Sequence, residues 1–253
     1  MKDLIYDGVS LNQMGLAIKN KQPYKVAERD LTFETVTARN GDVIVDNLRY
    51  KNIEMNYQVN SIPHRVSADN TSQLVREFIE AFAPRNSEYK ILRDDYNPGY
   101  FTHAICTNIG EINHTIKNHI DATLTFNRKP FWYSDIGAKT AESSDSKIIL
   151  DNPEKFNAEP YIRLYAYGGE ITVCVNGVDY IINLTGITSG EAPYIELDTE
   201  LQSAFYGEVN RNQRVNFNYF PVLIPGENVI EIKLTGTKTV YKGIEIIPRW
   251  RRL

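Results

Sequence analysis

The chain has 253 residues and a formal charge of −4 from 28 basic and 32 acidic side chains. No broad cationic field is available to hold phosphates by counterion release, so tight nucleic-acid binding is disfavoured. Hydrophobic residues make up 42% and charged residues 24%, with 16 Tyr and 10 Phe; this is a folded, β-leaning composition, long enough for two domains.

Cys106 and Cys174 are the whole cysteine complement, which excludes a disulfide framework and a zinc-ligand spacing, and both read as small buried apolar residues. Residues 1–8 lack a sustained apolar stretch and no run approaches membrane thickness, so synthesis and assembly in a cytoplasm are expected. The glycosylation-type sites at Asn70, Asn113 and Asn183 are then chance matches.

In chain order, the first signal is a hairpin: Asn40-Gly41 lies between Thr35-Val36-Thr37 and Val43-Ile44-Val45, and Asn-Gly supplies the positive φ angles of a tight two-residue turn. A strand is expected over 53–60. A helix follows over 70–82, where Leu74, Val75, Phe78, Ile79 and Phe82 recur at three- and four-residue spacing to form one apolar stripe. Asn70 with Gln73 resembles a capping box and Pro84 stops the helix. Strands over 89–92, 99–108 and 120–126 complete an α+β half in which one helix packs on a sheet.

Between 134 and 147 the residues become small, polar and charged, which reads as a connection between domains 1–137 and 138–253. Beyond it the pattern is purely β. Runs over 161–167, 171–175, 178–184, 194–197, 215–217, 228–234 and 240–247 are separated by turns such as Gly169-Glu170 and Asn176-Gly177, and predict a β-sandwich. Trp250 in 248–253 needs a packing partner and suggests a tail folded back on the first domain.

Sites for chemistry are sparse. His114 and His119 lie five apart, which puts them on opposite faces of a strand and matches a helix poorly, so they read as surface histidines of a polar loop rather than a metal site. Asp94-Asp95, and Glu196, Asp198 and Glu200 along one strand, read as solvated carboxylates; catalytic pairs must converge across a cleft. There is no nucleophile elbow, phosphate-cradling loop or dinucleotide fingerprint. Neither an enzyme, a cofactor nor a metal is expected. Tyr165 and Tyr167 alternate with Ala166 and share a face, and with Tyr161, Tyr194, Tyr206 and Tyr219 they could stack on sugar rings; core or interface packing is the plainer reading of such aromatics.

Three stretches together carry a family resemblance. They are Ala38-Arg39-Asn40-Gly41-Asp42, Phe126-Asn127-Arg128-Lys129-Pro130-Phe131-Trp132-Tyr133, and the Phe220–Ile230 segment containing Pro225-Gly226-Glu227-Asn228, followed by Pro248-Arg249-Trp250-Arg251. They resemble, in order, an Arg-x-Gly-Asp-like turn, a Lys/Arg-Pro-Phe/Tyr-x-Tyr segment closing the N-terminal domain, and a Pro-Gly-x-Asn hairpin. All belong to the distal tail proteins of siphophages infecting Gram-positive bacteria, and the chain is similar to that of a Bacillus siphophage. The resemblance implies a virion protein of the tail tip: a six-subunit ring built by the N-terminal domain around a DNA channel, with a peripheral galectin-like domain. One ring face would meet the major tail tube protein and the other a tail-associated protein, and host cell-wall glycan is a further candidate partner. Arg39, Asn40, Gly41, Asp42, Pro130, Phe131 and Trp132 become candidate assembly residues, and Tyr165 and Tyr167 candidate glycan contacts. A ring also suits the hairpin itself, since pairing across subunits covers exposed strand edges.

Overall fold

A computed structural model describes the whole chain except residues 22–23, 67–70, 84–86, 116–118, 191–192 and 236–237. The chain is mainly β and divides into two compact units, Met1–Trp132 together with Leu253, and Tyr133–Arg252.

The first unit contains β1 (Leu4–Tyr6), β2 (Val9–Ser10), β3 (Leu16–Lys21), β4 (Arg29–Glu34), β5 (Val43–Tyr50) and β6 (Ile53–Ser61). After these come α1 (Thr71–Phe82), β7 (Lys90–Asp94), β8 (Tyr100–Ile109), β9 (Asn113–Thr115) and β10 (His119–Arg128). Strands run β2-β1-β7-β8-β10-β6-β3, with β9 added beside β10. A further bridge pairs Lys2, ahead of β1, with Ile18 of β3. The sheet and the helix share one core, in which Leu4, Tyr57, Val59, Leu92, Leu124 and Phe126 bury together with Leu74, Phe78 and Phe82 of the helix. The rings of Tyr6 and Phe82 stack at 6.0 Å, joining helix to sheet.

The expected helical stripe buries at Leu74, Phe78 and Phe82, while Ile79 at its border is exposed. The cap at Asn70 and the stop at Pro84 lie outside the described residues. His114 and His119 are on the paired strands β9 and β10 rather than in a loop, because His119 and Ile120 extend the long β10 ladder into register with Thr115 and His114. Among the described residues, no group of three or more His, Cys, Asp or Glu side chains could hold a metal ion.

The second unit is a sandwich of two antiparallel sheets. Outside these two sheets, β11 (Trp132–Ser134), which starts at the division, pairs with the last strand of the chain; the sandwich strands begin with β12 (Ala141–Ser143), β13 (Lys147–Asn152), β14 (Tyr161–Tyr167), β15 (Glu170–Val175) and β16 (Val178–Asn183). They continue with β17 (Ile195–Asp198), β18 (Ser203–Tyr206), β19 (Val209–Asn210), β20 (Val215–Asn216), β21 (Gly226–Thr235) and β22 (Val240–Ile247), and the partner of β11 is β23 (Arg251–Arg252). One sheet has the order β12-β22-β14-β17-β18-β19 and the other β13-β21-β15-β16-β20. Alternating residues such as Ile162, Leu164, Ala166, Ile230, Ile232 and Ile244 fill the space between them. The Asn176-Gly177 turn takes positive φ at both positions, 51° and 84°, as a tight hairpin requires.

Two expectations change here. Residues 134–147, read as a connection, carry β12 and the start of β13; ladder hydrogen bonds to β22 and β21 order a segment that has few large side chains to bury. Within the segment expected to fold back on the first domain, Trp250 packs into the core of the second unit, while Leu253 groups with the first. Gly137 makes that possible, since a Cβ there would lie 2.3 Å from the Trp250 backbone nitrogen. The Arg249 amide then donates to the Gly137 carbonyl at 2.7 Å.

Candidate assembly interface

β4 and β5 form a two-stranded sheet of their own. The pairing places Glu34 opposite Val43, Phe33 opposite Ile44 and Thr32 opposite Val45, with a bulge between Arg29 and Leu31. The expected two-residue turn at Asn40-Gly41 is replaced by a connection over 35–42. The register explains this: pairing through Asn40-Gly41 would set Thr37 against Ile44, whereas the observed one sets Phe33 there and brings charged partners together nearer the root. Arg29 grips the Asp46 carboxylate through both Nε and Nη2, and Arg49 Nε donates to Asp30 at 2.7 Å. Those hydrogen bonds hold the Asp46 and Asp30 carboxyls below the usual carboxylate range.

At the tip, Ala38 and Gly41 have positive φ, and the Thr35 hydroxyl donates to Asp42 at 3.0 Å. Arg39, Asn40, Gly41 and Asp42 are all exposed there. More telling is the apolar content of the arm: Phe33, Ile44 and Leu48 are 59%, 60% and 77% exposed, with Val36 and Val45 also open. A lone hairpin is marginal in water, and an exposed apolar edge invites pairing. Its composition is that of a surface to be covered.

Of the other candidate assembly residues, Phe131 and Trp132 are buried within the first unit and Pro130 is half-buried. Phe131 lies edge-on to Tyr50 at 5.5 Å and its carbonyl accepts from the Thr102 hydroxyl. Arg128 turns back to donate to the carbonyls of Lys129 and Pro130 and lies over the Trp132 ring at 5.2 Å. Burial pulls the Arg128 guanidinium down to about 10. Sequence-adjacent to the domain's end, this segment packs against the root of the arm through Tyr50.

In the second unit, Tyr161, Arg163, Tyr165 and Tyr167 form the half-exposed face of β14. Tyr165 donates to Glu245 at 2.6 Å and lies edge-on to Tyr194, which meets Tyr206 at 4.7 Å. Tyr167 lies beneath the Lys242 ammonium. Arg163 bridges Glu196 and Glu245. A cleft of about 340 Å³ beside Tyr165 is lined by Glu142, Ser143, Lys242 and Glu245 among others.

The carboxylates read as solvated are not all so. Asp94 is buried, as are Glu196 and Asp198; each is affordable in an apolar setting because it is paired and hydrogen-bonded. Glu196 accepts from Tyr161, Arg163 and the Gly207 amide, and Asp198 is clamped by Arg249 at 2.7 and 3.0 Å. Burial, followed by the hydrogen bond to Glu196, pushes the Tyr161 hydroxyl up to about 12. Asp94, Glu196 and Asp198 are thus each held in an ion pair, with Lys21, Arg163 and Arg249.

No family model matches the chain and no curated protein matches it significantly. Among solved structures, a phage protein aligns over 97% of this chain and 97% of its own, with a TM-score of 0.67. The fold is that of SPP1 Dit. SPP1 Dit, gp19.1, is described as a paradigm of the hub adsorption apparatus in phages that infect Gram-positive bacteria. Identity to SPP1 Dit is 10%, so the likeness is one of fold, extending through both units.

Proposed function

We propose that this protein is a non-enzymatic structural hub of a phage tail tip. The observation that carries the reading is the end-to-end match to SPP1 Dit, in which both units and nearly the full length of each chain align. The apolar arm β4–β5 supplies a physical reason for assembly, because its exposed Phe33, Ile44 and Leu48 gain most when a neighbour covers them. In this reading six copies close into a ring, with the first unit forming a channel for DNA and the second lying at the periphery. One face of the ring meets the tail tube protein and the other a tail-associated adsorption protein. The acidic balance of the chain suits a channel through which DNA slides without sticking. The protein is made in the cytoplasm of the host, a Gram-positive bacterium such as a Bacillus, and resides in the virion.

Light scattering after gel filtration, with micrographs of the same fractions, tests this. A closed ring is expected at micromolar concentration; a monomer at every concentration tried, with no rings in the images, would overturn it.

A second reading has one favouring observation: Tyr165, Tyr194 and Tyr206 cluster beside the cleft lined by Glu142 and Lys242, an arrangement suited to a sugar ring. Titration with host cell-wall glycan separates the two. Micromolar binding lost in Tyr165→Ala would make the second unit a carbohydrate-binding module, whereas a scaffold shows no such dependence.

A further inference from the structure

Lys21 ends β3, the last strand in the order of the first unit's sheet, and the chain runs from it toward the arm that begins at Arg29. Its side chain is only 6% exposed. The ammonium lies 4.8 Å from the ring centroid of Tyr24, 4.9 Å from Tyr96, 5.8 Å from Trp132 and 5.9 Å from Tyr57. It also pairs with Asp94 at 3.0 Å. The four rings come from separate places in the chain: Tyr57 from β6, where it is the direct cross-strand partner of Lys21, Tyr96 from the turn after β7, Trp132 from the end of the unit, and Tyr24 from the segment leading to the arm.

The carboxylate is fully committed. Asp94 Oδ2 accepts from the Tyr57 hydroxyl at 2.6 Å and from Lys21, while Oδ1 accepts from the Tyr96 amide and Asn97 Nδ2. Two further cations touch the walls of the cage, Arg128 over Trp132 at 5.2 Å and Lys2 over Tyr96 at 5.4 Å. Aromatic faces around one cation, closed by an anion, form the type of site that recognises alkylammonium ligands. Burying an ion pair adds little net stability, yet it fixes geometry, because any displacement leaves a charge uncompensated. Tyr24 is the wall of interest, since its ring is 72% exposed and is held over Lys21 at the point where the chain heads for the arm.

We propose that Tyr24, Tyr57, Tyr96, Trp132 and Asp94 form an alkylammonium cage whose occupant is the chain's own Lys21, and that this occupancy latches the root of the arm to the sheet. The consequence for assembly rests on the arm being a subunit contact; the latch itself does not.

Lys21→Ala removes Cγ, Cδ, Cε and Nζ, the atoms that n-propylammonium restores. Hydrogen exchange at Asn20, Lys21 and Tyr57 and along residues 29–34 should accelerate about tenfold in this variant, the scale expected from a desolvated cation–π contact. Saturating n-propylammonium should return it toward the native rate, while 1-propanol should not. If Lys21→Ala does not fold, Tyr24→Ala, which removes an exposed wall, should speed exchange over 29–34 by a few-fold with an unchanged circular dichroism spectrum. Unchanged exchange in a folded variant, or equal rescue by 1-propanol and n-propylammonium, overturns the cage. Sedimentation of the same samples is read separately: accelerated exchange with native-like assembly means that the latch holds and the arm is not the subunit contact.

Discussion

Asn228 uses its whole side-chain amide inside the second unit. Oδ1 accepts from the Ile224 amide and from Asn176 Nδ2, and Nδ2 donates to the carbonyls of Ile224 and Gly226. The Pro-Gly-Glu-Asn motif is thus an anchored turn with a buried amide at its centre. Asn228→Asp keeps the shape but sets carboxylate oxygen against two carbonyls, so a loss of roughly 2–4 kcal/mol is expected in urea unfolding. A second residue-scale test concerns Asp198. Burial alone would raise its carboxyl, but the hydrogen bonds and charge of Arg249 outweigh this and hold it low. A folded-state value below the unfolded one contributes stability that is present above the unfolded carboxylate range and lost as pH falls through the folded value. In Arg249→Met the buried carboxyl loses its partner and its value should rise above the unfolded one, so that contribution changes sign and stability is lost as pH rises. The expected cost at pH 7 is about 3–5 kcal/mol, and acid titration of the unfolding midpoint checks the reversal.

At the scale of elements, the arm lets folding and the proposed assembly be tested apart. Its apolar residues are exposed, so Phe33→Ser with Ile44→Ser removes little buried area and should leave the unfolding midpoint within about 0.5 kcal/mol of native while weakening sedimentation as a ring. Gly41→Val is a sharper probe of the tip. Gly41 has φ of 80° with nothing near a Cβ, so a β-branched side chain meets backbone strain and no clash, a local cost of about 1–3 kcal/mol that re-aims the tip. If that variant folds and sediments as native, the tip is not an assembly element. The arm also shows what periodicity can reveal. The helix was legible because Leu74, Phe78 and Phe82 bury one stripe, β14 because its burial alternates, and β15 with β16 because Asn176-Gly177 turns one directly into the other. The arm's register was not, since it depends on Arg29–Asp46 and Arg49–Asp30 pairing across strands. The short strands β17, β18 and β19 were only partly legible, because buried Glu196 and Asp198 break the apolar pattern and become readable only beside Arg163 and Arg249.

For the whole molecule, two separate cores decide what can be cut. Leu4, Tyr57, Phe78 and Phe126 belong to one and Ile162, Leu197, Ile230 and Trp250 to the other, so each unit has its own burial to drive folding. Burial itself was not legible at Phe131 and Trp132, because a side chain's exposure is a property of its packing, and here Arg128 lies over Trp132 and Tyr50 against Phe131. What the sequence could not rank was the apolar arm, because Phe33, Ile44 and Leu48 look like core residues until their exposure is seen. The division then shapes the last test. A fragment of residues 1–132 keeps the first core, the arm and the Lys21 cage. Extending it to 137 adds Tyr133, whose hydroxyl donates to Glu200, and Gly137, which lies against Trp250, both within the second unit. Residues 1–132 should therefore unfold cooperatively and sediment as a ring, with 1–137 doing the same but exposing a protease-sensitive tail. A fragment that unfolds as cooperatively as the intact first unit yet stays monomeric would locate the subunit contacts in the second unit, and the arm would lose its part in assembly.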